Sequence, residues 1–193
     1  MSDATRSAGP GVTIREPRPD ELDETRALMI RVIALDYGYD YRTRWHEDVA
    51  DVAAFFLAHP RQTLLVAVDD ATGRIVGTAG VRVLRATSPP HPPEVLARYD
   101  RTRTAELTRV FVAPEARRRG IGRALVDATG AWVAEVGGFD LIQFHSRTAV
   151  EFWRAMPTTE ILDNRRRVAS GPEDGQVYFE MAVPGMRESR RRP

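Results

Sequence analysis

Two periodicities run along this chain, one of two residues and one near 3.6, and the changes between them mark its elements. Residues 12–15 alternate apolar with polar, as an edge strand does. Pro19, Asp20 and Glu21 then open a helix with proline and acids in its first turn, and Leu22, Ala27, Ile30, Ile33 and Ala34 give that helix an apolar stripe ending near Tyr37 and Gly38. A second helical pattern covers 47–57 and stops before His59 and Pro60, because the residue preceding a proline is pushed out of the helical region. Residues 63–68 and 74–83, joined by the turn-forming stretch 69–73, read as a hairpin. Pro89, Pro90, Pro92 and Pro93 prevent residues 85–103 from continuing a sheet. That connection is long for a compact domain, and it reads equally as a binding element or as a disordered insertion.

The second half carries a strand over 105–112, a glycine-bearing segment over 114–122, and a helix whose apolar positions are Ile121, Leu125, Ala128, Trp132 and Val136. Gly137 and Gly138 end the helix, 139–144 is a further strand, 148–156 a short helix and 176–183 a last strand. The order predicts one mixed α/β domain over 12–184, with aperiodic tails at 1–11 and 185–193.

Composition narrows the chemistry. The 28 basic residues are all arginine and nearly balance 27 acidic ones, for a net charge of +1 in 193 residues. Nothing in that balance calls for nucleic acid or an anionic membrane, and the arginine runs 165–167 and 190–192 read as solvated. The absence of cysteine removes disulfides, thiolate nucleophiles and zinc-thiolate sites. His46, His59, His91 and His145 are too scattered in sequence for a metal cluster, and 69–73 reads as a turn rather than a metal loop, so no metal is expected. The small polar start and the lack of a long apolar run point to a soluble, cytoplasmic protein.

Residues 107–125 are the informative stretch. A strand delivers glycines at 120 and 122 to the first turn of an amphipathic helix, where free N–H groups face outward with the positive end of the helix dipole behind them. Arg117, Arg118, Arg119 and Arg123 surround this anion site and suit a multiply charged phosphate. A Walker loop is excluded because the chain has no lysine, and a dinucleotide fingerprint fails because Leu125 stands where a third small residue belongs. The remaining pattern, Arg117-x-x-Gly120-x-Gly122 after a strand ending at Val112 and the pair Pro114 and Glu115, resembles the GNAT superfamily of N-acetyltransferases.

That resemblance covers roughly 12–183 and is specific over 106–153. It implies a mixed, mostly antiparallel central sheet flanked by helices, with a splayed central strand pair and a strand, phosphate loop, helix and strand unit. It implies acetyl-CoA as co-substrate, its pyrophosphate held by Arg117, Arg118, Arg119, Gly120, Ile121, Gly122 and Arg123. Main-chain groups of Val110, Phe111 and Val112 would meet the pantetheine, a strand amide would polarise the acetyl carbonyl, and the family's habit implies a homodimer through edge strands. Direct attack on a thioester needs a base for the amine and a proton for the leaving thiolate. Glu106, with the residues up to Val112, looks like the family's general base; its other reading is a strand-end glutamate paired with Arg103 or Arg109. The family's usual acid, a tyrosine, is replaced by Trp153, which has no dissociable proton and lines the pocket instead. Either His145 or Ser146 takes its place, Ser146 also as a partner of the pantetheine or the leaving sulfur, or the thiolate leaves unassisted into solvent, so the acid is unassigned.

For the acceptor, Tyr37, Tyr39 and Trp45 with Asp36 and Asp40 form an aromatic and acidic patch suited to an ammonium group, or else a loop packed on the core. A small-molecule amine or amino-acid-like acceptor follows first. A protein N-terminus or lysine comes second, and the loss of the tyrosine leaves open a domain that binds CoA as a sensor or scaffold without transfer.

Overall fold

The computed structural model describes residues 6–7, 11–38, 41, 46–85, 91–165 and 175–185. They fall into two compact units, one drawn from residues 1–82 and 107–132 and the other from 83–106 and 133–193.

In the first unit, β2 (Val12–Arg15) pairs antiparallel with β3 (Thr63–Asp69), and β3 with β4 (Ile75–Val83). The two residues of β1 (Arg6–Ser7), in the stretch expected to lie outside the core, pair with the far side of β2, which is therefore not an edge. All seven residues of β3 and the first eight of β4 are buried, so both faces of the hairpin are covered and the alternation seen in β2 disappears. β5 (Thr104–Val112) follows β4 in the strand order; its residues 107–112 belong to this unit, and Thr78 donates its hydroxyl hydrogen to the Arg109 carbonyl at 2.8 Å. Arg109 lies at φ 53°, a left-handed conformation inside a strand, in the middle of the half-buried stretch 108–110 that follows the buried run 104–107.

The helix α1 (Leu22–Tyr37) begins behind a 3-10 turn at Pro19–Glu21 and ends at Gly38, φ 69°. It buries Thr25, Leu28, Met29, Val32 and Ile33, while Ala27 and Ala34 of the expected stripe face solvent. Both stripes have helical spacing. The buried one carries the larger side chains, and Thr25 satisfies its hydroxyl on the Glu21 carbonyl one turn back at 2.8 Å. The helix expected over 47–57 is instead α2 (Glu47–Ala50), an extended break at Asp51 and a π-helical turn at Ala53–Leu57. The Asp51 carboxylate accepts the Ala54 N–H at 2.9 Å, so this residue caps a new turn rather than continuing the old one.

In the second unit β5 and β6 (Leu141–Ser146) form the parallel pair of an otherwise antiparallel sheet, with Glu106 opposite Gln143. The register spans three residues of each strand, 104–106 against 141–143. β6 then pairs with β8 (Val177–Ala182), and β8 with β7 (Thr159–Asp163). β6 starts two residues later than the pattern suggests, and β7 was not foreseen at all. Its residues are exposed or half-buried, so no apolar alternation announces it. The proline-rich connection holds a short helix, α3 (Pro93–Leu96), anchored by buried Val95 and by the Tyr99 hydroxyl, which donates to Glu180 of β8 at 3.0 Å. Of the helix α4 (Ile121–Val136), residues 121–132 belong to the first unit, where Ile121, Leu125 and Ala128 are buried as expected; in the part that belongs to the second unit Val133 is buried in place of the exposed Val136. α5 (Val150–Arg154) follows β6.

Candidate functional site

The first group of site residues lies in the first unit, between the end of β5 and the start of α4. A 3-10 turn at Pro114–Ala116 leads into a loop in which Arg118 has φ 66° and Gly120 φ 80°. Left-handed residues at 118 and 120, after the extended Arg117, redirect the main-chain N–H groups of the loop, a feature shared with backbone concavities that hold anions. The amides of Arg118, Arg119 and Gly120 make no hydrogen bond to another described residue. A Cβ built on Gly120 would meet nothing within 4 Å, so the loop opens outward at that position.

The arginine side chains do not simply surround this loop. Arg117 holds both oxygens of Asp36 at 2.7 and 2.9 Å and donates from Nε to the Val112 carbonyl at 3.1 Å. Arg119 donates to Asp69 at 2.9 Å, and that bond, together with hydrogen bonds from Thr72 and Ala71, holds the Asp69 carboxyl below its ordinary range against the opposing effect of burial. Arg123 lies 4.0 Å from Asp127 at the surface. Arg118 makes no ion pair among the described residues. Arg117 and Arg119 thus tie the loop to Asp36, Val112 and Asp69, whereas Arg118 and Arg123 extend from it at the surface.

Of the expected substrate residues, Tyr37 closes α1 and packs edge-on against Phe111 with ring centroids 6.4 Å apart. Phe111 is buried, and Val110 and Val112 are half-buried. Tyr39, Asp40 and Trp45 lie outside the described residues. Tyr37 and Tyr41 both pack against the core, and Asp36 is taken by Arg117, so the described part of the patch is partly the packed loop that formed its alternative reading.

A buried ion pair stands beside Arg109. Its guanidinium makes two 2.7 Å hydrogen bonds to Asp48, whose side chain is 3% exposed. Burial alone would raise the Asp48 carboxyl, but the Arg109 charge and hydrogen bonds, helped by the charges of Arg82 and His46, carry it below its ordinary value. Neither end of this pair stands out in the sequence, because Asp48 and Arg109 are 61 residues apart. Arg109 thus pairs with Asp48, and Arg103 pairs with Asp140.

The second group lies in the second unit and centres on Glu106. Its side chain is fully buried, and His91 Nε2 stands 3.2 Å from Glu106 Oε1. His145 of β6 and Tyr178 of β8 complete a cluster of rings with His91, their centroids 5.3 to 6.0 Å apart. His91, Glu106 and His145 each bring a donor atom within 4.8 Å of the others. Two of the four histidines that appear scattered along the sequence are thus joined by the fold. His91 was missed because its 15-residue separation from Glu106 is spanned by the proline-rich connection, whose path no local pattern reveals.

Trp153 is buried and tilted against Phe144 with centroids 4.3 Å apart. Ser146 ends β6 and accepts the Ala149 N–H at 3.3 Å, which sets the turn into α5. Trp153 thus packs into the core of its unit, and Ser146 shapes the turn.

A family model described as Acetyltransferase (GNAT) family matches residues 27–156. This chain belongs to the GNAT acetyltransferase family. The matched span of this GNAT chain includes the loop at 117–122, Glu106 and Trp153. A GNAT-family acetyltransferase from Staphylococcus aureus superposes with a TM-score of 0.65 at 18% identity, covering 87% of this chain and 97% of that one. A Salmonella typhimurium protein described as an acetyltransferase and solved with its cofactor acetyl-CoA gives 0.64 at 14% identity, covering 91% and 96%. Spermidine N-acetyltransferase from Vibrio cholerae, in complex with CoA and spermine, gives 0.63 at 14% identity, covering 91% and 97%. At these identities the likeness is one of fold. Comparison with curated proteins yields no match. Among the described residues, no helix of this GNAT chain is long and apolar enough to cross a membrane.

Proposed function

We propose that this chain transfers the acetyl group of acetyl-CoA to the primary amine of a small-molecule or amino-acid-like acceptor, by direct attack, as a cytoplasmic enzyme whose chemistry needs no metal. The observation that carries the reading is the loop at 117–122. Its Arg118 and Gly120 backbone conformations turn main-chain amides outward at the start of α4, where the family's phosphate motif falls. A loop of this kind fits the pyrophosphate of CoA, with the amides of 118–122 and the Arg118 guanidinium as its donors. Acetyl-CoA supplies the activated acetyl group when bound.

This chain's own contribution to the chemistry is assigned to Glu106, which takes the proton from the attacking ammonium so that its nitrogen lone pair is available. Trp153 supplies no proton, and its buried position against Phe144 supports a wall rather than an acid. The left-handed backbone at Arg109 supports a break in β5 at which a strand amide is turned out of the ladder toward the acetyl carbonyl. Tyr37, Tyr39 and Trp45 are assigned to the acceptor side, where aromatic faces meet an ammonium group. The related folds that act on amines, spermidine among them, support the class of acceptor.

Calorimetric titration with acetyl-CoA, followed by a thiol-release assay over polyamines, amino acids and amino-sugar amines, tests the proposal. Binding with release from one class of amine supports it and names the acceptor. Binding with no release from any amine or from a lysine-bearing peptide favours a sensor, and absence of binding overturns the loop assignment. Glu106→Gln should lower turnover by roughly 100-fold or more while leaving the affinity for acetyl-CoA in place.

A further inference from the structure

We propose that His91 is the positioning residue of Glu106, donating its Nε2–H to the carboxylate and holding it in the form and orientation that accept the amine's proton. The inference rests on Glu106 being the base.

The geometry leaves the imidazole one economical arrangement. Nε2 lies 3.2 Å from Glu106 Oε1, both side chains are out of contact with solvent, and Nδ1 of His91 is buried with no hydrogen-bond partner among the described residues. With the proton on Nδ1, a buried donor would be orphaned and the Nε2 lone pair would face a carboxylate oxygen. With the proton on Nε2, the donor meets a carboxylate and only an acceptor is left over. A carboxylate withdrawn from water needs such donors to hold its charge and its rotamer.

His91 is also built to stay in place. Pro92 and Pro93 follow it, fixing φ at the entry to α3, and Val95 buries the helix. Tyr99 ties the connection to Glu180 of β8, and burial, together with the Glu180 charge and hydrogen bond, pushes its phenol well above the usual range. The Leu84 N–H bonds the Thr104 carbonyl at the other end of the connection. The titratable groups facing His91 are Glu106 from β5, His145 from β6 and Tyr178 from β8, with Tyr99 and Glu180 also joining the connection to β8. The connection that appeared as either a binding element or a disordered insertion thus delivers one imidazole to the base.

Two measurements test this together. Nitrogen-detected NMR of the histidine rings, which needs no acceptor, should find His91 protonated on Nε2 in the wild type and mixed between tautomers in Glu106→Leu. Kinetics on the acceptor found above should show kcat/KM of His91→Leu reduced by roughly 10- to 100-fold, the worth of one hydrogen bond to a charged group. The acid limb of its pH profile should move upward, acetyl-CoA affinity should hold, and His91→Gln, which keeps an N–H donor, should recover most of the loss. Retained acetyl-CoA binding shows that each variant is folded. A wild-type ring protonated on Nδ1, a His91→Gln as impaired as His91→Leu, or an unshifted profile would overturn the inference. So would a stoichiometric divalent metal in the purified protein that is lost in His91→Leu, which would make the three groups a cation site. Full turnover in Glu106→Gln overturns the base assignment itself, whereas an inactive Glu106→Gln beside a fully active His91→Leu overturns only the role of His91.

Discussion

Gly120 sits at φ 80° with open space where a side chain would project. A bulkier residue there would clash with nothing in the fold, so its cost is one of backbone conformation, about 1–2 kcal/mol for an L-residue held left-handed. Gly120→Val should therefore stay folded at the cost of a small fall in Tm, but it should lose acetyl-CoA affinity by at least roughly tenfold as the amides rotate away and a branched side chain fills the approach. Unchanged calorimetric affinity would remove the phosphate loop from this account. The turn at Gly120 is legible in sequence because its left-handed backbone favours a residue without a side chain. The left-handed Arg118 is not, since arginine has no preference for that conformation and only the surrounding loop enforces it. The partners of Arg117 and Arg119 were equally hidden: Asp36 and Asp69 lie 81 and 50 residues away, and charge counting alone takes all four loop arginines as ligands for phosphate.

At the scale of elements, the contact of α4 on the hairpin depends on missing side chains. A Cβ on Gly77 of β4 would lie 2.9 Å from Leu125 Cδ1, 3.4 Å from Ile121 Cγ2 and 3.0 Å from the Phe111 carbonyl oxygen. The leucine could rotate, but the carbonyl belongs to the neighbouring strand and cannot retreat without moving it. Gly77→Ala is thus expected to cost about 1–3 kcal/mol, as overpacking of a close-packed core does. Gly73→Ala, in the turn of the same hairpin with nothing within 4 Å of its Cβ, carries only the strain of φ 68° and serves as the control. Thermal unfolding of both variants checks the order. α4 is legible because it buries a periodic apolar face, and the hairpin because two continuous apolar runs flank a turn. Where two stripes compete or burial is slight the pattern fails: α1 offers two helical stripes, and β7 exposes most of its residues. Asp51 cut the helix expected at 47–57 because a short carboxylate can cap a turn as readily as it can ride on one.

For the molecule as a whole, the balanced charge at pH 7 keeps global repulsion small, and acid removes individual carboxylate pairs while leaving 28 arginines increasingly uncompensated. Among the described residues Glu21, Asp48, Asp69, Asp100, Glu115 and Asp163 are all held below their ordinary values. A carboxyl lowered on folding contributes stability that is complete above its unfolded value and is lost as pH falls through its folded one. For Glu21, doubly bonded to Arg15, that window runs from 4.5 down to about 2. Tm should accordingly be flat between about pH 5 and 7 and fall steeply below about 4.5. The exposed pairs contribute little each, because water and salt screen them. Asp48 differs, since it faces Arg109 out of water, and removing one partner of such a pair leaves the other charge uncompensated. Asp48→Asn should lose about 3–5 kcal/mol at pH 7, and the gap from the wild type should narrow as acid neutralises the wild-type carboxyl. Urea unfolding of both proteins at pH 7 and at pH 3 decides it. A gap that stayed constant with pH would mean that shape and hydrogen bonding at position 48, rather than its charge, hold the strand at Arg109.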